Sequence, residues 1–458
     1  MSKQTFINDK FIHLLIERAA NATEHEIQAI LEKAKSFKGL TPEEAAALLC
    51  TNNPEHLRQI YSIAGSIKEE IYGDRVVMFA PLYVSDYCVN QCSYCGFSHK
   101  FGFGRKRLSM DALREEVRIL EKMGHKRLAL EAGEDPINCP IEYILECLKT
   151  IYDTKLIRRV NVNIAATTVE NYKKLKEAGI GTYILFQETY HQETYEGIHT
   201  AGPKKNYDYH TTAFDRALEA GLDDVGAGVL FGLYDYRYEV LGLMLHNAHL
   251  EQRFGVGFHT ISVPRVCPIT PDETVSQTYT HVVDDETFKK IVAVIRLAVP
   301  FTGMIMSTRE SADMRRDCIA LGISQISGGS TVEVGGYALG MDSASQFELA
   351  DNRSAKDIIF WLMEEGLLPS FCTACYRTGR TGDRFMSLAK TGNIKNVCLP
   401  NALLTLKEYA LDYGDEDFRR LAEGLINKKI KHIENETVRD LIIENLRQLE
   451  AGERDLFI

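Results

Sequence analysis

The stretch Tyr87-Cys88-Val89-Asn90-Gln91-Cys92-Ser93-Tyr94-Cys95-Gly96-Phe97 sets three cysteines at the spacing C-x3-C-x2-C. Thiolates this close together read as metal ligands. A structural zinc site wants four closed ligands, usually in two pairs, and a cubane iron–sulfur cluster also wants four thiolates. Three thiolates leave one metal corner open, and an open corner can bind and activate a small molecule. That arrangement points to catalysis. A structural zinc, or a site closed by a fourth ligand such as His99, stays open as an alternative.

A second set follows at Cys372, Cys375 and Cys398, spaced C-x2-C-x22-C within and beyond SFCTACYRTGR. The spacing fits a zinc site completed by a nearby His or Asp. It equally fits a second cluster that lacks one protein ligand. Arg377, Arg380 and Arg384 lie close by in sequence, where cations would hold an anionic product or offset cluster charge. A solvated basic loop is the other reading.

The other five of the 11 cysteines, Cys50, Cys139, Cys147, Cys267 and Cys318, are scattered singly and read as small buried hydrophobes. The odd count, and an opening MSKQTFINDKF without an apolar leader run, predict a reducing, cytoplasmic setting rather than a disulfide framework. No run approaches the ~18 apolar residues of a membrane span. The net charge of -11 implies no broad basic surface, so neither nucleic acid nor membrane is an expected partner.

The elements that must position these residues are legible as a pattern. Residues 1–75 read as a helical wrap, with Thr41-Pro42-Glu43-Glu44 and Asn53-Pro54-Glu55 as helix starts. From 76 to 340, β-branched runs alternate with amphipathic helices. The runs are 76–85, 127–133, 159–165, 183–189, 225–232, 259–266, 302–310 and 323–330. Eight such runs spell a (β/α)8 barrel in an α/β chain. Residues 341–458 read as a helical C-terminal domain that carries the second cysteine set. Polar residues fall at the run ends, the rim where barrel sites are built. The first cysteine set directly follows the first run.

With that placement, C-x3-C-x2-C with Tyr94 before the third cysteine resembles the radical S-adenosylmethionine (SAM) superfamily. The resemblance implies that the open iron of a [4Fe–4S] cluster chelates SAM and that one electron releases a 5′-deoxyadenosyl radical. LEAGED (130–135) resembles the superfamily's GGE-type segment and nominates Glu131, Ala132, Gly133 and Glu134 for cofactor binding. Ala132 stands where Gly is usual, so a different local turn is expected there. VGAGVLFG (225–232) resembles the Gly-rich adenine strand, nominating Gly226 and Gly228; small residues in a barrel wall are the alternative.

The second cysteine set makes the whole chain resemble the tyrosine lyases of [FeFe]-hydrogenase maturation; the barrel part alone also resembles the thiazole-pathway tyrosine lyase. The first resemblance implies cleavage of the Cα–Cβ bond of L-tyrosine to p-cresol and dehydroglycine. Carbon monoxide and cyanide then form at a second, auxiliary cluster carrying an extra iron held by a cysteine and a barrel histidine. Reduced ferredoxin or flavodoxin as electron donor, and downstream maturation proteins, follow as partners. The thiazole-pathway activity with a structural second metal is the alternative. The best histidine is His259. It opens the sixth run, at the end opposite the cysteine rim, so that strand is expected to begin and end differently. A carboxylate substrate calls for arginine: Arg309 is preferred, with Arg265 as the other candidate. Glu188 is expected to hydrogen-bond SAM or substrate, with Ser307 and Ser330 as further contacts. The basic stretch 99–106 would steady the first cysteine loop, unless it is simply solvated.

Overall fold

The computed structural model describes residues 6–102, 104–269, 275–338 and 345–458. Eight parallel strands close into a barrel: β1 (Arg75–Ser85), β2 (Arg127–Ala132), β3 (Arg159–Asn163), β4 (Tyr183–Glu188), β5 (Val225–Val229), β6 (Thr260–Ser262), β7 (Gly303–Met306) and β8 (Gln325–Ser327). Closure comes from β1, which pairs with β2 through Ala80–Ser85 and with β8 through Val77–Phe79. Every expected run holds a strand. β6 does begin and end differently from its run, at Thr260 and Ser262, but it starts directly after His259, so that residue stays at the end away from the cysteine rim.

The barrel helices stop where the sequence says they should. Gly124, Gly179 and Gly221 take positive φ just past helices ending at Lys122, Glu177 and Glu219, the left-handed exit that glycine allows. Four helices precede β1, at Asp9–Ala19, Glu24–Ala34, Pro42–Cys50 and Pro54–Tyr72. Thr41 forms a full capping box with Glu44, and Asn53 caps its helix through Glu55 N.

The C-terminal part holds helices at Ala355–Glu364, Lys395–Tyr413, Glu416–Ile430 and Glu436–Glu450, the last two capped by Asp415 and Asn435. The 340/341 boundary lies outside the described residues. This part also contributes a strand that the sequence hides, β9 (Leu368–Ser370), which pairs in parallel with Arg75–Val77 at the start of β1. It is three residues long and includes Pro369, which belongs on an edge strand. β9 delivers the chain to Cys372 at the N-terminal end of the barrel. Helix Lys395–Tyr413 starts ahead of Pro400, not after it, so Cys398 sits in its first turn. A proline there reads as a breaker, which hides that turn in the sequence.

Candidate functional site

The first cysteine loop leaves β1 and is held from three sides. From the end of β2, Gly133 N donates to Ser85 O (2.9 Å), and Val89 N donates back to Glu134 O (2.8 Å). Asn90 Nδ2 donates to Glu134 Oε2 at 2.6 Å. From the segment after β4, Ile198 O accepts from Ser93 N (3.1 Å) and Ala201 O accepts from Gln91 N (3.2 Å). From beyond β8, Gln346 O accepts from Gly96 N (3.1 Å). Two glycines are sterically required. A Cβ on Gly133 would stand 2.4 Å from Tyr87 O, and one on Gly96 would stand 2.1 Å from Ser345 O. Ala132 is absent from the described positive-φ residues, so the turn needs no glycine at that position and the expected distortion is not found.

Cys88, Cys92 and Cys95 line a cavity of about 1480 Å³, mouth included, at the C-terminal ends of the strands. Tyr94, Glu131, Ala132, Gly133, Glu134, Glu188, Ser307 and Arg309 line it too. His99 is exposed and does not, so it is not brought to the cluster loop as a fourth ligand. Burial pushes the Cys95 thiol up to about 11 and Cys92 higher still. Thiols so buried ionise only when a metal takes the sulfur.

Tyr94 turns its hydroxyl to His199 Nε2 at 2.7 Å. Glu131 accepts from Asn163 Nδ2 at 2.6 Å, and burial raises its carboxyl to about 8. Glu188 ends β4 in a bulge at φ 69 and pairs with Lys204 Nζ at 2.7 Å. A non-glycine residue in that region is uncommon and marks a site over-determined by its surroundings. Burial opposes the Lys204 charge, but Glu188 and Cys92 more than restore it. Lys204 and Asn90 were not expected from sequence; neither belongs to a strand-end motif.

Arg309 lies 3.4 Å over the Phe347 ring and stays within the cavity. Arg265 does not line the cavity. Its guanidinium is taken up by Glu310, Asp285 (2.8 Å) and Val283 O (3.1 Å), so this candidate is corrected to an ion-paired residue of the outer wall. Gly226 and Gly228 do not line the cavity either. A Cβ on Gly228 would stand 2.3 Å from Phe186, and one on Gly226 2.4 Å from Thr260 Oγ1. They make room for the cavity-lining Phe186 and Ile184, as small residues in a barrel wall do. The Ser330 hydroxyl is buried with no hydrogen-bond partner among the described residues. In the basic stretch, Arg105 donates to four backbone carbonyls, of Asp86, Phe97, Ser98 and Phe101, and so steadies the first loop.

The second cysteine set sits at the opposite end of the barrel. β1 spans 11 residues, so roughly 33 Å of strand separates its two ends. Cys372 takes φ 49 between β9 and helix Ala374–Arg377, and the Cys375 thiol lies close enough to Cys372 and Cys398 for the three to shift one another's ionisation. Cys375 and Arg75 draw the Cys398 thiol down to about 7. Three arginines surround the group: Arg75, Arg127 and Arg159, the first residues of β1, β2 and β3. Arg159 Nη1 reaches Cys372 O at 3.4 Å and Sγ at 3.9 Å, while Arg127 Nε and Nη1 are buried with no hydrogen-bond partner among the described residues. His259 is at this end as well. Its Nδ1 lies 3.3 Å from Asp224 Oδ1 without hydrogen-bond geometry, and its ring packs on Phe385 at 4.6 Å. Its position at the start of β6 therefore puts it at the same end of the barrel as the second cysteine set. Arg377 serves the tail, pairing with Asp455 (2.7 Å); Arg380 donates to Ile458 O (2.6 Å) and through its backbone N to Cys375 O (2.9 Å), and its side chain acts to lower the Cys375 thiol.

The radical SAM superfamily model matches residues 82–243, and the biotin and thiamin synthesis associated domain matches 262–368. The chain is 30% identical over 342 residues to 2-iminoacetate synthase of Escherichia coli, covering 74% of this chain and 89% of that protein. A solved structure of HydG, a maturase of the [FeFe]-hydrogenase, superimposes with a TM-score of 0.96 at 58% identity, over 99% of this chain and 100% of that one. The chain belongs to the HydG family of radical SAM enzymes. HydG from Carboxydothermus hydrogenoformans is also similar, at 37% identity and a TM-score of 0.83, over 95% of this chain and 97% of that one.

A radical SAM domain implies one four-iron cluster and SAM. The residues present fit both: three thiols converge on a cavity from which Gly133 keeps its own side chain away. Among the described residues, no helix is long and apolar enough to cross a membrane.

Proposed function

We propose that this enzyme cleaves the Cα–Cβ bond of L-tyrosine to p-cresol and dehydroglycine, and that dehydroglycine is then carried on to carbon monoxide and cyanide for an Fe–CO–CN unit. The reading is supported by the kinship with HydG and 2-iminoacetate synthase. The carrying observation is a pair of cysteine triplets at opposite ends of one barrel, the second ringed by three buried arginines. Buried cations with so few carboxylates near them need an anionic partner. An iron–sulfur core on three thiolates supplies that charge.

At the first site Cys88, Cys92 and Cys95 would hold the cluster. Gly133 and Glu134 would present backbone to the amino group of SAM. Bound there, cluster and SAM supply a one-electron cleavage that yields a carbon radical able to abstract hydrogen. The chain's own residues do the rest. Arg309, held flat against Phe347, grips the tyrosine carboxylate. The Glu188–Lys204 pair fixes the polar wall beside Cys92. Phe186, Ile184 and Leu230 exclude water from the reacting centre. At the second site Cys372, Cys375 and Cys398 would hold the auxiliary cluster. His259, close enough to Cys372 to feel its charge, would serve as a ligand for an extra iron. Ferredoxin or flavodoxin would donate the electron, later maturation proteins would receive the unit, and the setting is the cytoplasm.

The experiment is anaerobic incubation of reconstituted enzyme with SAM, dithionite and tyrosine, assaying p-cresol and carbon monoxide. About eight irons per chain or slightly more, with both products, are expected. p-Cresol without carbon monoxide, at about four irons, would instead establish the thiazole-pathway activity with a structural second metal.

A further inference from the structure

Outside both cysteine sites, the chain brings two imidazoles and a carboxylate together on its surface. Asp9 and His13 lie one turn apart on helix Asp9–Ala19, so both project from one face. His191 faces them from the connection that leaves β4. One donor atom from each of the three lies within 4.8 Å of the others. Asp9 Oδ1 and His13 Nε2 are 3.4 Å apart. Two ligands bound at about 2.0–2.1 Å in a tetrahedral site stand roughly 3.3–3.4 Å apart, so this pair already spans one edge of a zinc site.

The donors are also oriented by neighbours, as ligands are when a site is built. Tyr238 donates its hydroxyl to Asp9 Oδ1 at 3.0 Å. His191 Nδ1 lies 2.8 Å from Thr194 Oγ1 and 3.4 Å from Thr194 N; with its proton on Nδ1 and donated to Oγ1, in exchange for the long cap from Thr194 N, the ring offers Nε2 to an ion. The His191 ring is stacked on Tyr234 at 3.8 Å and 4°. The His13 and His191 rings stand 6.3 Å apart at 85°, so they converge and do not stack.

We propose that Asp9, His13 and His191 form a surface site for a divalent transition-metal ion of the zinc and ferrous class, with an open corner for water. Two imidazoles and one carboxylate suit such ions. The ion would clamp the first N-terminal helix to the connection that carries Glu188 at one end and His199, the partner of Tyr94, at the other. Helix Gln192–Ile198, which His191 caps, ends on Ile198 O, the acceptor for Ser93 N of the first cysteine loop. The clamp therefore stiffens a support of that loop without touching its metal.

The test uses tag-free, anaerobically reconstituted holoenzyme and zinc as probe. His13→Ala is the variant of choice, because the side chain is 49% exposed and meets the buried Tyr238 ring at 5.3 Å from outside the core. Wild type is expected to bind one zinc per chain and to melt at a higher temperature with zinc than without. H13A should bind zinc at least about tenfold more weakly, show no such shift, and keep its iron content and deoxyadenosine formation. H13A binding zinc as tightly as wild type, no zinc retained by wild type, or zinc taken up only as iron is lost would each overturn the site.

Discussion

Arg127 and Arg159 stand directly opposite one another as the first registered pair of β2 and β3, and both are buried. Burial and the neighbouring Arg159 both work against the Arg127 charge. Asp224 brings one carboxylate to these two cations, and the anionic sulfur group at Cys372, Cys375 and Cys398 supplies the rest of the offset. Replacing Arg127 should therefore change sign with the metal. In metal-free protein, Arg127→Met is expected to raise stability by about 2–4 kcal/mol in urea melts, since it removes a buried charge without a counter-ion. In the reconstituted enzyme the same change should lower the reduction potential of the second cluster by roughly tens of millivolts, read by an EPR-monitored titration. No gain in stability of the metal-free protein, or an unmoved potential in the reconstituted enzyme, would refute the arginine–cluster coupling.

Gly133 leaves no room for a side chain between Tyr87 O and Cys88 Cβ, at 2.4 and 3.1 Å. Gly133→Val should displace the β1 exit. We expect deoxyadenosine formation to fall at least about a hundredfold, while the EPR signal of the second cluster persists, because that site is at the other end of the barrel.

The two arginine candidates separate in kinetics. Arg309→Gln should raise the KM for tyrosine about 10–100-fold, consistent with the loss of a charge-assisted hydrogen bond to the substrate carboxylate. Arg265→Gln should leave KM unchanged and instead cost about 3 kcal/mol of stability, because it strands Glu310 in the wall. Steady-state assays and thermal melts of the two variants decide the assignment; a KM effect from Arg265→Gln would reverse it.

Glu239 is fully buried, accepts from Tyr190 N at 2.7 Å and from Thr189 Oγ1, and burial raises its carboxyl to about 8. A folded value above the unfolded one means that folding takes up a proton between the two. This contribution is complete at pH below about 4 and is lost as pH rises through about 8. Wild-type Tm should fall between pH 6 and 9, and Glu239→Gln should flatten part of that fall. Parallel pH profiles would show that Glu239 is ionised in the folded protein.

Most of the first site was legible because its residues are local in sequence. Cys88 to Cys95, Glu131 to Glu134, Glu188, Ser307 and Arg309 all sit at strand ends, and β-branched runs alternating with amphipathic helices are enough to place strand ends on one rim. Lys204, Asn90 and Phe347 were not legible, because each acts through a partner far along the chain. The second site was half legible. Its cysteines are a motif, and the signal for its arginines was present in DRVV, KRLAL and RRVNV, where arginine opens three successive strands.

By itself, then, the sequence determined the barrel, the two cysteine groups and the chemistry their open corners imply, since spacing and periodicity are local properties of a chain. Tertiary structure alone decided that the two groups face opposite ends. The reason is a three-residue strand: β9 pairs with the first residues of β1 and not the last, and that register carries Cys372 to the side of Arg75, Arg159 and His259.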